Sequence, residues 1–152
     1  VGFLLGRRLA AAGKPPFVAS FFVPAFGFVA MVGGGVFVLH HFDGEELQAA
    51  MRWLWIGSPC LALLALFACP RAFFAMLAYG VMARAPVALV QYFDIENGWQ
   101  THYGKVHPKL VGMDAASRHL FLAMAQATQW LPFTILAGTA CAALGAATVR
   151  RS

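Results

Sequence analysis

The five histidines are the residues of this sequence with the widest range of chemistry. They are His40, His41, His102, His107 and His119. Imidazole and carboxylate together ligate zinc, copper or iron, and imidazole also ligates haem iron. His40 or His41 opposite His119 would form a haem-ligating pair. The sequence contains no His-Glu-x-x-His and no repeated His-x-x-x-His, so it offers ligands for a metal or haem without the spacing of a familiar site.

Arg84 is the second candidate, because it interrupts a long apolar stretch. At 1.5 Å per residue it lies about 18 Å into a hydrocarbon core about 30 Å thick. A charge at that depth is costly unless it is paired or reaches the interface. Gln91 shares its helical face, while Gln126 and Gln129 of the last helix lie at a compatible depth. We predict an anion- or ligand-binding group of these four residues. In the alternative, Arg84 bonds the glutamines while its head extends to the outer interface.

A third pattern is a run of small residues at helical spacing near the end of the chain. It consists of Ala137, Gly138, Cys141, Ala142 and Gly145. Small residues four apart let membrane helices approach closely, so that van der Waals contact holds them together. The pattern predicts a helix-packing face, used either inside the bundle or for docking another subunit.

The amino-acid composition indicates which class of fold must position these residues. The chain has 152 residues, of which 61% are hydrophobic and 11% charged, and its mean hydropathy is +0.70. A soluble domain usually carries about 25% charged residues. A soluble enzyme, a disordered chain and a disulfide-stapled secreted domain are therefore excluded. The composition predicts an all-α integral membrane protein.

Four segments are long and apolar enough to cross a bilayer as helices. They are residues 17–39, 51–69, 72–93 and 120–149, and they form one domain over residues 1–152. We expect residues 1–16 to be an interfacial segment rather than a cleavable signal peptide. Residues 94–113 form the one long loop. The 94–118 segment and the start of the fourth helix are predicted to form a small outer cap.

Charge patterning orients the predicted spans. With both termini cytoplasmic, the inner side carries six cations and no acid, and all six carboxylates lie outside. The inner cations are Arg7, Arg8, Lys14, Arg71, Arg150 and Arg151. Lysine and arginine favour the cytoplasmic side, so we expect a multi-pass protein of the inner membrane of a bacterium. The cations form no wettable cluster, which argues against nucleic acid as a partner.

No catalytic constellation accompanies this architecture. We therefore expect a non-catalytic accessory or structural subunit that binds partner proteins, lipid or a cofactor in a larger membrane complex, or that forms a homo-oligomer. The alternative is a metal- or haem-dependent enzyme or redox subunit at the outer face, with the five histidines as ligands and Arg84 as an anion clamp.

Overall fold

The computed structural model describes residues 1–13, 19–99, 101–105, 112 and 114–149. About 90% of the described residues are helical, and none of them forms a strand. The elements in chain order are α1 (Gly2–Ala11), α2 (Ala19–His41), α3 (Gly44–Ala68), α4 (Pro70–Asn97), a 3-10 helix (His102–Gly104), α5 (Ala115–Ala125), a π-helical turn (Gln126–Trp130) and α6 (Leu131–Ala147). The all-α prediction is confirmed.

Four helical stretches are long and apolar enough to cross a membrane. They cover Ser20–His41, Gly44–Ala68, Pro70–Asn97 and the continuous run Ala115–Ala147 through α5, the π-helical turn and α6. The four predicted spans are therefore confirmed, and the chain is a multi-pass membrane protein by length and composition.

The bounds of two spans differ from the prediction. α3 begins at Gly44 rather than at residue 51, and α4 continues to Asn97 rather than ending at 93. Glu45 and Glu46 occupy the first turn of α3, where carboxylates interact favourably with the helix dipole. These two residues, which lie between the predicted first and second spans, thus belong to α3, and only Phe42 and Asp43 separate α2 from α3.

α3 and α4 are joined by the shortest connection in the bundle. Cys69 alone separates them, with an extended backbone, and Pro70 occupies the first position of α4. Proline suits that position because its missing N–H would have no partner there. The Ser20 hydroxyl donates to the Ala68 carbonyl over 2.7 Å, so the start of α2 lies beside the end of α3.

α6 is the central helix, since it contacts α1, α2, α3 and α4. Half of the most apolar window of its span is buried, against 17–22% in the other three spans. Leu136 and Thr139 are fully enclosed. The outer helices instead expose large apolar side chains, among them Phe22, Phe26 and Phe67. Such a surface suits a hydrocarbon solvent, in which exposed apolar side chains carry no penalty.

α1 packs against α6. A Cβ placed on Gly2 would meet the Gly138 backbone, and one placed on Gly6 would meet the Ala142 backbone. Only glycine permits such an approach. Leu9, near the end of α1, packs against the Cys69–Ala72 turn. Whether α1 also contacts a membrane interface stays a prediction, and residues 14–16 of that segment lie outside the described ranges.

The helix bounds place charges at two ends of the bundle. We call the end with Arg7, Arg8 and Arg71 the basic end, because α1 finishes there beside the α3–α4 turn. The opposite, acidic end holds Asp43, Glu45, Glu46, Asp94, Glu96 and Asp114, together with Arg52, Lys105 and Arg118. Lys14, Lys109, Arg150 and Arg151 lie outside the described residues. The charge sorting found in the sequence therefore persists in three dimensions for the residues described.

The connection from α4 to α5 begins with an ordered turn at the acidic end. Gly98 ends α4 in the left-handed conformation. The buried Asp94 carboxylate accepts hydrogen bonds from the Thr101 amide, over 2.9 Å, and from the Thr101 hydroxyl, over 2.8 Å. Residues 106–111 and 113 lie outside the described ranges, so the outer cap over residues 94–118 stays a prediction.

Candidate functional site

A π-helical turn shapes the candidate site in the half of the bundle nearer the acidic end. It spans Gln126–Trp130, and the Leu131 amide donates to the Gln126 carbonyl five residues back. Pro132 follows at once and has no N–H to donate to the Thr128 carbonyl. A wider turn accommodates the proline ring, and such turns are frequent at functional sites.

Gln129 faces α3 from this turn and is fully engaged there. Its amide nitrogen donates to the Leu54 carbonyl over 3.1 Å, and its side-chain oxygen accepts from the Ser58 hydroxyl over 3.2 Å. Ser58 is 2% exposed. Because the partner of this hydroxyl is an amide rather than a base, the pair joins two helices and does not activate a nucleophile.

Arg84 faces α6 from the middle of α4. Its guanidinium carbon lies 5.3 Å from the centre of the Trp130 ring, a cation–π distance. Nη2 donates one long hydrogen bond, 3.4 Å, to the Thr134 hydroxyl, which itself donates to the Trp130 carbonyl. Nε is buried with no partner. In the part of the chain that the structure describes, no carboxylate pairs with this cation.

The direction of the Arg84 side chain bears on whether it reaches the outer interface. Thr134, its hydrogen-bond partner, also lies beside Gly80, one turn nearer the start of α4. The guanidinium therefore lies back along α4 toward Gly80 and away from the acidic end. Helical side chains lean toward the N-terminus of their helix, which is the basic end for α4. This orientation does not carry the charge toward the acidic end of the bundle.

Gln91 and Gln126 complete the predicted group. Each is 7% exposed, and the side-chain oxygen of each is buried without a hydrogen-bond partner. Neither these two glutamines nor Gln129 shows a hydrogen bond to Arg84 among the described residues. The structure thus places all four residues in the same half of the bundle, with Arg84 on Trp130 and Gln129 on α3. Their joint role as a ligand site stays a prediction.

The described histidines are His40 and His41, which are adjacent at the end of α2, and His102 and His119. His119 and Glu96 approach to 2.9 Å, with the Tyr92 ring 5.0 Å from the imidazole. His41 stacks on Phe37. His40 is the penultimate residue of α2, His102 begins the 3-10 helix, and His107 lies outside the described residues. Within the described ranges, no three histidine, cysteine or acidic side chains are grouped to hold a metal. The metal or haem hypothesis stays untested.

Only part of the predicted packing face of α6 is covered by another helix. α1 covers Gly138, Ala142 and Gly145, whereas Cys141 is exposed and Ala137 is half-buried. The covered part packs inside the bundle. The signal for its partner was present in the sequence, because Gly2 and Gly6 are themselves four residues apart.

A groove between the starts of α3 and α5 was not foreseen. Its volume is about 320 Å³, and we call it the α3–α5 groove. It is lined by Gln48, Met51, Arg52, Trp55, Ser117, Leu120 and Phe121. These residues recur at intervals of three and four on both helices, a spacing that places them on one face of each. That periodicity was visible in the sequence.

Comparisons with protein-family models, with curated proteins and with solved structures find no match to this chain. No relative therefore supplies a role for its residues. The chemistry that the site itself supports is the binding of a hydrogen-bond acceptor or an anion at Arg84, where a donor is buried and unmatched.

Proposed function

We propose that this chain is a non-catalytic accessory subunit of a larger assembly in a bacterial inner membrane, with both termini in the cytoplasm. Its task is to bind a second membrane subunit through the surface of α4 around Arg84. The sorting of charge supports the orientation, since the basic end carries Arg7, Arg8 and Arg71 without acids among the described residues, as cytoplasmic ends of membrane proteins do.

The single observation that carries the proposal is the incomplete pairing of Arg84. One long hydrogen bond and one aromatic face are its only compensation among the described residues. Intramembrane cations normally pair with a carboxylate or with carbonyl groups, because an unmatched charge in hydrocarbon costs several kcal/mol. A partner that supplies a carboxylate or carbonyl oxygen would accept the hydrogen bonds that the Arg84 guanidinium does not make within the described residues.

The surface beside Arg84 is open to such a partner. Val81, three residues before Arg84, is 51% exposed, and Ala85, the next residue, is exposed as well. A second helix can approach α4 closely at a residue as small as alanine. The expected partner is therefore a transmembrane helix with a carboxylate or amide group at the depth of Arg84.

Photo-crosslinking in native membranes tests the proposal. A photoreactive residue at Val81 should give a discrete adduct with a second protein, while the same probe at Phe67, an exposed position on α3, should give none. Arg84→Leu should abolish the adduct and the slower-migrating complex in a mild-detergent native gel. Arg84→Lys should retain part of both, and Arg71→Leu on the same helix should retain both fully.

Two results would contradict the proposal. The first is an unchanged complex in Arg84→Leu, which would mean that the cation is matched without a partner. The second is a Soret band or a stoichiometric transition metal in the purified protein. That result would favour the outer-face enzyme or redox subunit with His40, His41, His102, His107 or His119 as ligands.

A further inference from the structure

The α3–α5 groove is separate from Arg84 and the residues it contacts, Trp130 and Thr134, and it opens at the acidic end of the bundle. α3 and α5 both begin at that end, so residues later in each helix lie deeper. On α3, Arg52 lies about 6 Å and Trp55 about 10 Å deeper than Gln48, at 1.5 Å per residue. On α5, Ser117 precedes Leu120 and Phe121. The groove is therefore polar at its mouth and apolar at depth.

Two opposite charges lie at different levels, Arg52 in the lining of this groove and Asp114 beside it, bonded to the lining residue Ser117. Asp114 caps α5 at the mouth, where its carboxylate accepts from the Ser117 amide over 2.7 Å and from the Ser117 hydroxyl over 3.1 Å. Arg52 lies deeper, on the α3 wall. It is exposed and has no ion-pair partner among the described residues. From the acidic end inward, the Asp114 carboxylate beside the groove is followed by the Arg52 guanidinium and then by apolar side chains of the lining.

The Asp114 carboxylate remains charged in the folded chain. The backbone hydrogen bond from Ser117, followed by the hydroxyl hydrogen bond from the same residue, lowers the pKa of Asp114 below its ordinary value. Glu45 lies one turn nearer the mouth than Gln48 on the same side of α3 and adds a second negative charge at that level. The mouth is thus suited to a cation and the deeper wall to an anion.

We propose that the α3–α5 groove binds a phosphatidylethanolamine molecule. Its primary ammonium group bonds the Asp114 carboxylate, its phosphate bonds the Arg52 guanidinium, and its acyl chains lie along Trp55, Leu120 and Phe121. In a bilayer the ammonium group is outermost, the phosphate lies beneath it and the chains are deepest. The groove and the adjoining Asp114 present the complementary groups in that order, and cationic side chains between transmembrane helices bind lipid phosphate groups. This site does not depend on the partner proposed for Arg84.

The same charges discriminate among headgroups. Phosphatidylglycerol carries no cation to face Asp114, so the acidic mouth disfavours it. Phosphatidylcholine carries a quaternary ammonium group that has no N–H to donate to a carboxylate. A primary ammonium forms charge-assisted hydrogen bonds with the carboxylate, and these are stronger than neutral ones.

Native mass spectrometry of the full chain in detergent tests the site. The protein is mixed with phosphatidylethanolamine, phosphatidylglycerol or phosphatidylcholine at equal concentrations. The first lipid should be retained most. Arg52→Gln should weaken retention of all three by about tenfold, since one charge-assisted contact to phosphate is lost. Asp114→Asn, which keeps the helix cap, should remove the preference for phosphatidylethanolamine and leave phosphatidylglycerol binding undiminished.

Matched controls separate binding from folding. Arg7→Gln removes an exposed cation at the basic end and should change nothing, and Arg52→Lys should retain most of the binding. Melting in detergent without added lipid should be the same for all variants. Equal retention of the three lipids by the native chain would overturn the proposal. So would unchanged binding in Arg52→Gln. Adducts that persist in both Arg52→Gln and Asp114→Asn would place the lipid elsewhere.

Discussion

The two halves of the bundle are held together in different ways. Toward the basic end, α1 and α6 approach so closely that Gly2 and Gly6 lie against the backbone of the neighbouring helix. Toward the acidic end, α6 gives way to a π-helical turn, and Arg84, Gln91 and Gln126 each keep a buried polar atom without a partner. The first half is close-packed through backbone and small side chains, with Oγ1 of Thr139 as a buried polar atom that lacks a partner, and the second half holds several such atoms.

This difference indicates where stability and binding reside. Close van der Waals packing is the main force between helices in a membrane, and it leaves no room for a ligand. Unmatched polar atoms lower stability, and they are retained where a ligand or partner completes them. We therefore expect substitutions in the basic-end half to affect folding first, and those in the acidic-end half to affect binding first.

The largest expected effect comes from filling the contact between α1 and α6. Gly6→Val would place side-chain atoms on the Ala142 backbone, where no flexible group can move aside. We expect α1 to detach or shift, with a loss on the order of 1–3 kcal/mol, as for overpacked interiors. Thermal unfolding in detergent would show a clearly lowered melting temperature.

Gly33→Val is the matched control for that substitution. Gly33 lies in the middle of α2, and a Cβ added there meets no atom within 4 Å. The same side chain should therefore leave the melting temperature nearly unchanged. If the two variants melted alike, the close contact between α1 and α6 would not be what stabilises the basic-end half.

A smaller effect is expected from the hydrogen bond between Ser58 and Gln129. This bond joins α3 to the π-helical turn over 3.2 Å. Interhelical hydrogen bonds in membranes contribute about 0.6 kcal/mol on average and up to about 1.7 kcal/mol. A double-mutant cycle with Ser58→Ala and Gln129→Leu, read by thermal unfolding, should give a coupling energy in that range. A coupling near zero would show that the two side chains act independently.

Much of this fold follows from composition and hydropathy alone. Four apolar stretches of sufficient length predict four helices, since lipid leaves backbone groups no partners outside regular structure. The bounds were less accurate. α3 begins at Gly44 because the carboxylates of Glu45 and Glu46 interact favourably with the first turn of a helix. A hydropathy profile instead assigns such charged residues to a loop. The packing of α1 on α6 required recognising Gly2 and Gly6 as a pair with Gly138 and Ala142.

The candidate site was less accessible to sequence reasoning. Depth and helical spacing identified Arg84, Gln91, Gln126 and Gln129 as polar residues of one region. They did not predict that Gln129 would bond α3 while Arg84 lies on Trp130, because the π-helical turn changes the angular spacing of residues on the last helix. The α3–α5 groove depends on the distance between two helices that are separated by 46 residues in sequence, and hydropathy carries no information about that distance.

The smallest expected effect is at the start of α5, where pH acts on the Asp114 cap. Hydrogen bonds from Ser117 lower the pKa of Asp114 below its ordinary value of 3.8. A group whose pKa is depressed in the folded state contributes stability above its ordinary value and loses that contribution as pH falls through the folded value. The first turn of α5 should therefore remain protected at neutral pH and fray only below pH 3.8.

Amide hydrogen exchange at Ser117, corrected for intrinsic rates, measures this protection. In the native chain it should decrease when the pH is lowered from neutral to below the Asp114 pKa. Asp114→Asn keeps a capping side chain that does not titrate, so its protection should be independent of pH, and Asp114→Ala should lose protection throughout. Equal protection of native Ser117 at both pH values would show that the uncharged carboxyl group caps α5 as well as the carboxylate. The acidic mouth of the groove would then retain its structure when its charge is removed, and lipid retention could be measured there as a function of charge alone.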